Sequence, residues 1–389
     1  MQPELIADCV HCGFCLPACP TYNLWHEEMD SPRGRIHLMA GLVDGTIDLT
    51  DTVVEHFDRC LGCMACVPAC PSGVQYDRLI ETTRAHIEQS TKRTLGERLL
   101  RRLIFEVFPH RRRLRAALAF RRLPAPGPFA PLGAVAPPWV SSAWPPVHLP
   151  GKGPRVAVVA GCVQSVVFGD VNAATARVLA ADGYDVHVPK AQSCCGALHA
   201  HAGRLEEGLA RAHTLAEDLS GYDAIVTNAA GCGSHLKDHD IPNVVDVSEL
   251  LVDPPSRAER QPLELRVAFQ DSCHLKHAQR IESEPRAALR AIPGLVLLEP
   301  AEQDLCCGSA GIYNLVQPDT ARELGDRKAG VVLATEPEAY ASGNPGCLVQ
   351  VTAALRRAGK PVAAFHPIEL VDASIRGLDA QTVLAAARR

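Results

Sequence analysis

A chain of 389 residues with 21% charged residues and a net charge of −5 has the balance of a globular protein of two or three domains. The negative charge and an aromatic content of 5% argue against broad nucleic-acid binding. There is no run of 18 apolar residues, and the stretch from Met1 to Asp8 is short and mixed. The sequence therefore predicts neither a membrane-spanning helix nor an export signal, and a cytoplasmic location is expected.

The first 95 residues contain two copies of one cysteine motif. Residues 9–20 read CVHCGFCLPACP, and residues 60–71 read CLGCMACVPACP. Each run is Cys-x2-Cys-x2-Cys-x3-Cys-Pro, the spacing of bacterial ferredoxins with [4Fe–4S] clusters, in which the fourth cysteine usually ligates the other cluster. The motif thus predicts two clusters, one held by Cys9, Cys12, Cys15 and Cys70, and the other by Cys60, Cys63, Cys66 and Cys19.

Structural zinc and disulfides are the alternatives for these cysteines. Zinc sites usually show Cys-x2-Cys pairs, and disulfides require an oxidising compartment, so the doubled motif favours iron–sulfur clusters. The spacer between Cys19 and Cys60 is long, and its segments 31–42 and 51–58 are predicted as helices, which favours an α-helical ferredoxin. Within it, Arg33 and Arg35 either offset cluster charge or lie on the surface of a helix that begins with proline.

A connector, residues 96–154, separates these motifs from the rest of the chain. From Glu97 to Arg122 it has nine arginines and two glutamates among spaced apolar residues, a basic amphipathic pattern. Such a pattern suits a membrane surface, the acidic face of a partner, or a helix pair that packs on its own protein. The Pro-rich stretch 124–150 predicts an extended linker, and its Trp139 and Trp144 predict docking to another surface.

Residues 155–262 and 263–389 are two copies of one unit. Residues 155–162 (RVAVVAGC) correspond to 266–273 (RVAFQDSC), and each half then carries Cys-Cys-Gly and Gly-Cys. β-branched runs alternate with helical segments, which predicts parallel βαβ layers. In the first half the expected strands are 156–160, 185–188 and 224–227, and the expected helices are 173–181 and 204–219. The predicted fold class is a multidomain α+β protein, with an α-helical ferredoxin followed by a duplicated α/β cysteine-rich domain.

Eight further cysteines fall just after predicted strands, where open α/β sheets place their ligand sites. The sequence predicts one set of four in each half: Cys162, Cys194, Cys195 and Cys232, then Cys273, Cys306, Cys307 and Cys347. Glycine after each Cys-Cys pair permits a turn that directs both sulfurs inward. Each set suits a further iron–sulfur cluster, a redox-active thiol site, or a structural zinc ion. Nearby histidines (His199, His201, His274 and His277) are left unassigned.

The duplicated module resembles the cysteine-rich domain of heterodisulfide reductases. Joined to a two-cluster ferredoxin, it resembles the iron–sulfur subunits of bacterial glycolate oxidase (glycolate dehydrogenase) over nearly the whole chain except the connector. The residues that carry this likeness are 9–15 (CVHCGFC), 32–36 (PRGRI), 70–74 (CPSGV), 172–179 (NAATARVL), 277–279 (HAQ) and 306–311 (CCGSAG). Relatives of the same layout serve lactate utilisation and anaerobic glycerol-3-phosphate dehydrogenase.

The resemblance implies a subunit that receives electrons from FAD-containing subunits, which oxidise glycolate to glyoxylate, and passes them to a membrane acceptor such as quinone. It implies little activity alone, and peripheral contact with the inner face of the cell membrane. Equivalent subunits of D-lactate or glycerol-3-phosphate dehydrogenases and a thiol or disulfide reductase acting at the Cys-Cys-Gly sites are the alternatives, as is a scaffold that binds zinc.

One departure from the family pattern concerns the repeats. In heterodisulfide reductase a fifth cysteine follows the last one as Cys-x2-Cys and helps to hold a non-cubane cluster. Here Cys232 is followed by Gly-Ser-His and Cys347 by Leu-Val-Gln. The sequence therefore argues against the non-cubane cluster, and four cysteines per half remain for an ordinary cluster or zinc.

Overall fold

The N-terminal part of the computed structural model is helical, and the described residues of the chain are 3–120, 127–130, 132, 136–141, 144–253 and 255–387. Its helices are α1 (Pro3–Ala7), α2 (Pro20–Trp25), α3 (Pro32–Asp44), α4 (Asp51–Asp58) and α5 (Tyr76–Ser90), with a 3₁₀ turn at Glu28–Asp30. The two helices expected in the spacer are confirmed. Ser31 caps α3 by accepting a hydrogen bond from the Gly34 amide, and Pro32 occupies its first turn.

A small apolar core holds these helices together. Met39 of α3, Phe57 of α4, and Leu79, Ile80 and Ile87 of α5 are all buried in one cluster. The cysteine runs lie between the helices, so the apolar core supports both loops.

The basic segment of the connector forms two helices that pack on the protein. These are α6 (Leu95–Val107) and α7 (Arg111–Ala119), followed by a 3₁₀ turn at Gly127–Phe129. Leu114 and Leu118 of α7 enter the main core, which confirms packing on the protein itself for one face. The opposite face of α6 leaves Leu99 and Leu103 56% and 40% exposed.

The two tryptophans of the Pro-rich stretch dock as expected. The Trp139 ring lies 6.1 Å from that of Phe168, and the Arg111 guanidinium lies 3.9 Å from the Trp144 ring centroid. Residues 121–126, 131, 133–135, 142 and 143 of this region lie outside the described residues.

Each repeat contains one mostly parallel sheet. The first has strands β1 (His148–Leu149), β2 (Arg155–Val158), β3 (Asp185–His187), β4 (Ala224–Thr227) and β5 (Val244–Asp246) in the order β1-β3-β2-β4-β5. Its helices are α8 (Gln164–Val167), α9 (Gly169–Ala181), α10 (Ala197–Ala200), α11 (Leu205–Asp218) and α12 (Ala230–Asp238), with a 3₁₀ turn at Glu249–Leu251. Only β1 pairs antiparallel, with β3.

The second sheet reproduces the first. Its strands are β6 (Leu265–Gln270), β7 (Leu295–Leu298), β8 (Ala339–Ser342) and β9 (Ala363–Phe365), all parallel in the order β7-β6-β8-β9. Its helices are α13 (Ser283–Arg290), α14 (Tyr313–Val316), α15 (Pro318–Leu333), α16 (Pro345–Arg357), α17 (Pro367–Ile375) and α18 (Ala380–Ala385), with a π-helical turn at His274–Ala278. The order equals β3-β2-β4-β5, so the parallel α/β layers and the duplication are confirmed.

The two repeats share one apolar core. Val156 and Val158 of the first sheet belong to the same buried cluster as Val267 and Phe269 of the second. Helix α9 packs along α17, where Arg177 pairs with Asp372 at 2.6 Å. The two halves are therefore held in a fixed relation by both apolar packing and an ion pair.

Candidate electron-transfer sites

The two ferredoxin runs adopt the same loop conformation. In each run two loop residues have positive φ, namely the second and the fourth residue after the first cysteine. They are His11 (53°) and Gly13 (88°) in the first run, and Gly62 (62°) and Met64 (60°) in the second. Left-handed residues at fixed positions turn the chain tightly around a centre, which is how three sulfurs of one short loop can face a common point.

The structure brings the eight N-terminal cysteines together in two groups. One small cavity is lined by Cys9, Cys12 and Cys15 of the first run, together with Cys66 and Cys70 of the second. A second cavity is lined by Cys19, Cys60, Cys63 and Cys66, and Cys66 borders both cavities. The last cysteine of each run thus lies with the other run, as the crossed ligation pattern predicts.

The second cavity contains a buried arginine. Arg35 is 1% exposed, and its Nε donates to the His56 carbonyl while its Nη2 donates to Thr21 and Asp30. Burial alone would raise the pKa of Cys60, but Arg35 and Arg84 lower it below its ordinary value. At Cys60 the two arginines therefore favour the thiolate that a metal ion requires.

Arg33 lies two residues earlier and serves the first cavity. It donates to the His11 carbonyl at 3.1 Å and forms a two-bond ion pair with Glu28. Two interpretations were open for these arginines. Arg35 is buried beside the cluster-binding loops, as expected of a residue that offsets cluster charge, whereas Arg33 is partly exposed and forms an ion pair with Glu28.

The cysteines of the second repeat form a buried chain of sulfur contacts. Cys306 contacts both Cys273 and Cys307, and Cys307 contacts Cys347. The hydrogen bond with Cys273 raises the pKa of Cys306, and burial raises it further. This group packs against the ferredoxin part, because Cys306 shares an apolar cluster with Leu61 and Cys63.

The first repeat has an equivalent group with different surroundings. The Sγ atoms of Cys162 and Cys194 are 3.5 Å apart, and Cys195 contacts both Cys194 and Cys232. The contacts with Cys162 and Cys195 lower the pKa of Cys194, which favours its thiolate. The group is predicted from sequence, but its different environment is not.

This first-repeat group opens onto a cationic cavity of about 680 Å³. Cys162 and Cys194 form part of its wall, and no carboxylate occurs among the described residues that line it. Its cations come from the start of α7 and from the loop after β3, and they are Arg111, Arg112, Arg113, Arg115 and Lys190. The cavity therefore suits a small anion.

The glycine of each Cys-Cys-Gly is required by the fold. Gly196 and Gly308 have φ of 87° and 85°. A Cβ on Gly308 would lie 2.6 Å from the Ala321 carbonyl oxygen, and one on Gly196 would clash with the Gly208 carbonyl. The motif thus lets the helix that follows pack closely on the cysteine loop.

A cation that the sequence analysis missed accompanies each group. Lys328 of α15 is completely buried near Cys306 and Cys307, donates to the Glu302 carbonyl, and has a pKa lowered by burial. Arg211 of α11 lies near Cys194. When the two halves are aligned on Gly208 and Gly325, Arg211 and Lys328 fall at the same position. This correspondence could have identified both cations from the sequence.

Two groups of four thiols in a helical ferredoxin part, beside a duplicated cysteine-rich α/β part, define an iron–sulfur electron-transfer protein. The donor set fits iron–sulfur clusters because each cavity is lined by at least four cysteines, and Arg35 and Arg84 favour the thiolate of Cys60. Within the described residues, no helix is long and apolar enough to cross a membrane.

Comparison with known proteins gives the same class. Residues 5–74 match the 4Fe-4S dicluster domain, and residues 156–237 and 267–352 match the Cysteine-rich domain. The probable glycolate oxidase iron-sulfur subunit of Bacillus subtilis is 37% identical over 95% of this chain and 94% of its own. The glycolate oxidase iron-sulfur subunit of Escherichia coli is 36% identical over 96% and 95%.

A more distant relative shares part of the chain. One subunit of the fumarate reductase (CoM/CoB) of Methanothermobacter marburgensis is 36% identical over 57% of this chain and 46% of its own. On the two full-length matches, the chain belongs to the family of glycolate oxidase iron–sulfur subunits. It is the iron–sulfur, electron-transferring component of an oxidoreductase complex and has other oxidase subunits as partners.

Proposed function

We propose that this chain receives electrons from FAD-containing subunits that oxidise glycolate to glyoxylate, passes them to a membrane acceptor such as quinone, and is inactive alone. The observation that carries this proposal is the buried apolar cluster that contains both Cys63 and Cys306 and joins the ferredoxin part to the second repeat. The division of labour follows the segments 1–95 (ferredoxin), 96–154 (connector), 155–262 (first repeat) and 263–389 (second repeat).

The ferredoxin ligands are assigned from the two cavities. Cys9, Cys12, Cys15 and Cys70 hold one [4Fe–4S] cluster, and Cys60, Cys63, Cys66 and Cys19 hold the other. Each cluster supplies one-electron transfer when bound. Arg35 and Arg84 lower the pKa of Cys60 and so favour its thiolate, and the apolar core of the helices packs against the second site.

The second repeat is assigned a further iron–sulfur cluster on Cys273, Cys306, Cys307 and Cys347. These sulfurs are buried or nearly so, they touch one another, and they adjoin Cys63. Lys328 offsets the negative charge of the thiolates from inside the protein. A structural zinc ion on these residues, or on Cys162, Cys194, Cys195 and Cys232, is the competing assignment.

Helix α6 supports contact with the inner face of the membrane. Its inner side packs with Leu100 and Ile104 on Ile312 and Leu315, just after the second-repeat cysteines. Its outer side exposes three leucines one turn apart, flanked by exposed arginines: Leu95, Leu99, Leu103, Arg98 and Arg102. A leucine ridge flanked by cations suits an anionic lipid surface. The proposed exit for electrons therefore lies beside α6.

Reconstitution of the chain with its flavin subunits tests this proposal. Glycolate-dependent quinone reduction is expected in the wild type and in Cys162→Ser, and its loss is expected in Cys63→Ser and Cys306→Ser. Normal quinone reduction in Cys306→Ser contradicts the proposed route. Faster turnover with D-lactate or glycerol 3-phosphate than with glycolate would instead assign the chain to one of those dehydrogenases.

The cationic cavity favours a second candidate function, reduction of an anionic disulfide at the first repeat. Cys194 has a lowered pKa and borders this cavity, and thiolate character governs thiol reactivity. Reduction of glutathione disulfide by the complex, supplied with electrons from a low-potential donor such as reduced methyl viologen, tests it. Loss in Cys194→Ser and a raised KM in Lys190→Glu support the activity, and an unchanged rate in Cys194→Ser excludes it.

A further inference from the structure

Outside the cysteine sites, the three parts of the chain meet around a buried group of histidines. Glu81 comes from α5 of the ferredoxin part, His201 follows α10, His235 and His239 lie on or directly after α12, and His274 begins the π-helical turn. Their side chains are between 1% and 21% exposed. Such a collection of titratable side chains in an interior interface needs a physical reason.

Three of these residues have the geometry of a metal site. One ligand atom each from Glu81, His201 and His235 lies within 4.8 Å of the other two. Glu81 Oε1 and His201 Nε2 are 3.7 Å apart. A tetrahedral zinc ion with bonds of about 2.1 Å separates its ligand atoms by roughly 3.4 Å. If the three side chains move slightly closer together, their three ligand atoms can therefore bind one ion.

The imidazoles are also left without ordinary partners. Among the residues that the structure describes, neither ring nitrogen of His235 makes a hydrogen bond, and Nε2 of His274 makes none. His235 is 1% exposed, so solvent does not supply these missing partners. Neutral imidazole with a free nitrogen is the form that binds metal ions.

We propose that Glu81, His201 and His235 bind one divalent metal ion of the zinc and ferrous class. Two imidazoles and one carboxylate are the ligand set that both ions accept, with the fourth position left to water. The second carboxylate oxygen of Glu81 lies 3.4 Å from His239 Nε2, which orients the carboxylate. The ring of His201 stacks on that of His274, with centroids 5.0 Å apart, which fixes the imidazole plane.

The position of the site indicates its role. Arg84, one turn after Glu81 on α5, donates to the carbonyl oxygens of His201 and Cys60. The metal ion therefore fastens the first repeat to α5 beside the loop that carries Cys60. It acts as a structural link between domains, and it neither belongs to the cysteine groups nor depends on the electron-transfer proposal.

A second group of possible ligands differs in kind. His148, Asp185 and His187 also lie within 4.8 Å of one another, but both histidines already pair with the carboxylate, at 2.6 and 3.1 Å. His148 is exposed at the molecular surface. These residues satisfy one another and carry no proposal.

X-ray absorption at the zinc edge tests the site in the full-length chain purified anaerobically and supplied with Zn²⁺ alone. The expected result is one zinc with nitrogen and oxygen neighbours at about 2.0–2.1 Å. Zinc with sulfur neighbours at about 2.3 Å, or no zinc bound at low micromolar Zn²⁺, overturns the proposal. This measurement on the wild type needs no variant, so it remains decisive if a variant misfolds.

Variants then identify the ligands. Glu81→Gln and His235→Gln are expected to lose this zinc while they keep the wild-type iron content. His86→Gln is the matched control, since His86 lies on the same helix α5 outside the histidine group. Addition of Zn²⁺ is expected to raise the melting temperature of the wild type and of His86→Gln and to leave Glu81→Gln unchanged. Full zinc content in both ligand variants contradicts the assignment.

Discussion

Cys63 of the second ferredoxin run and Cys306 of the second repeat lie in one buried apolar cluster. The first-repeat cysteines, in contrast, border a solvent-connected cavity lined by arginines. Two copies of one motif therefore have different surroundings. The second repeat adjoins the ferredoxin sites, and the first borders the cationic cavity, which is why the two repeats are assigned different tasks.

Arg35→Gln is expected to destabilise the ferredoxin part and to lower a cluster potential. The guanidinium is buried beside Asp30 and Cys60, so its loss leaves buried negative charge less compensated. Removing one partner of a buried pair costs about 3 kcal/mol or more. Thermal melting and a redox titration of the reconstituted clusters measure both effects.

Arg33→Gln is the control for that prediction. Arg33 is partly exposed and pairs with Glu28 near the surface, so its loss should cost under about 1 kcal/mol. Equal losses of stability in the two variants would contradict the special role of Arg35.

Gly308→Ala is expected to disrupt the second-repeat site. The new Cβ would meet the Ala321 carbonyl oxygen at 2.6 Å, and the residue has a φ of 85°. We expect a destabilisation of about 2 kcal/mol or more and loss of iron from this repeat. Gly221→Ala is the control that distinguishes backbone strain from a steric clash. Gly221 has a φ of 83°, but no atom lies within 4 Å of the position that its Cβ would take. That variant should cost only about 1 kcal/mol and keep all iron.

Asp246→Asn is expected to stabilise the chain at high pH. Burial raises the pKa of Asp246 to about 6, whereas an unfolded aspartate titrates near 4. Because the folded state holds the proton more tightly, this group's favourable contribution is full below pH 4 and is lost as pH rises through 6. The asparagine oxygen can still accept the hydrogen bonds from Ser248.

Melting curves between pH 5.5 and 8 measure this effect. The variant should gain about 1–3 kcal/mol over the wild type at pH 8, and the gain should shrink toward pH 5.5. A gain that is independent of pH would mean that the carboxylate is not the cause.

Leu99→Glu with Leu103→Glu is expected to abolish binding to anionic vesicles. Both side chains belong to the exposed leucine ridge of α6, and carboxylates there would be repelled by the lipid. Cosedimentation with phosphatidylglycerol vesicles measures it. Val43→Glu is the control, because Val43 is similarly exposed on α3, away from the ridge. Vesicle binding that survives the double substitution would move the membrane contact elsewhere.

The sequence predicted the features that depend on local spacing. The crossed grouping of Cys19 and Cys70, the glycine turns, and the duplicated sheets all follow from motifs with a fixed geometry. Strand β1 was missed, because it has two residues within a Pro-rich stretch and pairs only with β3. The sequence did not show which of Arg33 and Arg35 is buried. Residues two apart on a helix point in different directions, and only the packing of the helix shows which one faces the interior.

The histidine group shows a further limit. Its five members come from four distant segments, and each is ordinary in its own stretch of sequence. Their proximity results from the docking of the ferredoxin part on both repeats. Long-range packing of this kind leaves no periodic signal that a single sequence can reveal.

Iron and acid-labile sulfide per chain, compared between the anaerobically purified wild type and Cys306→Ser, test the central claim most directly. The account predicts about twelve irons in the wild type, from three clusters of four, and about eight in the variant. The ferredoxin signals should persist in both proteins. About eight irons in both would contradict a cluster in the second repeat and end the proposed electron path at Cys63.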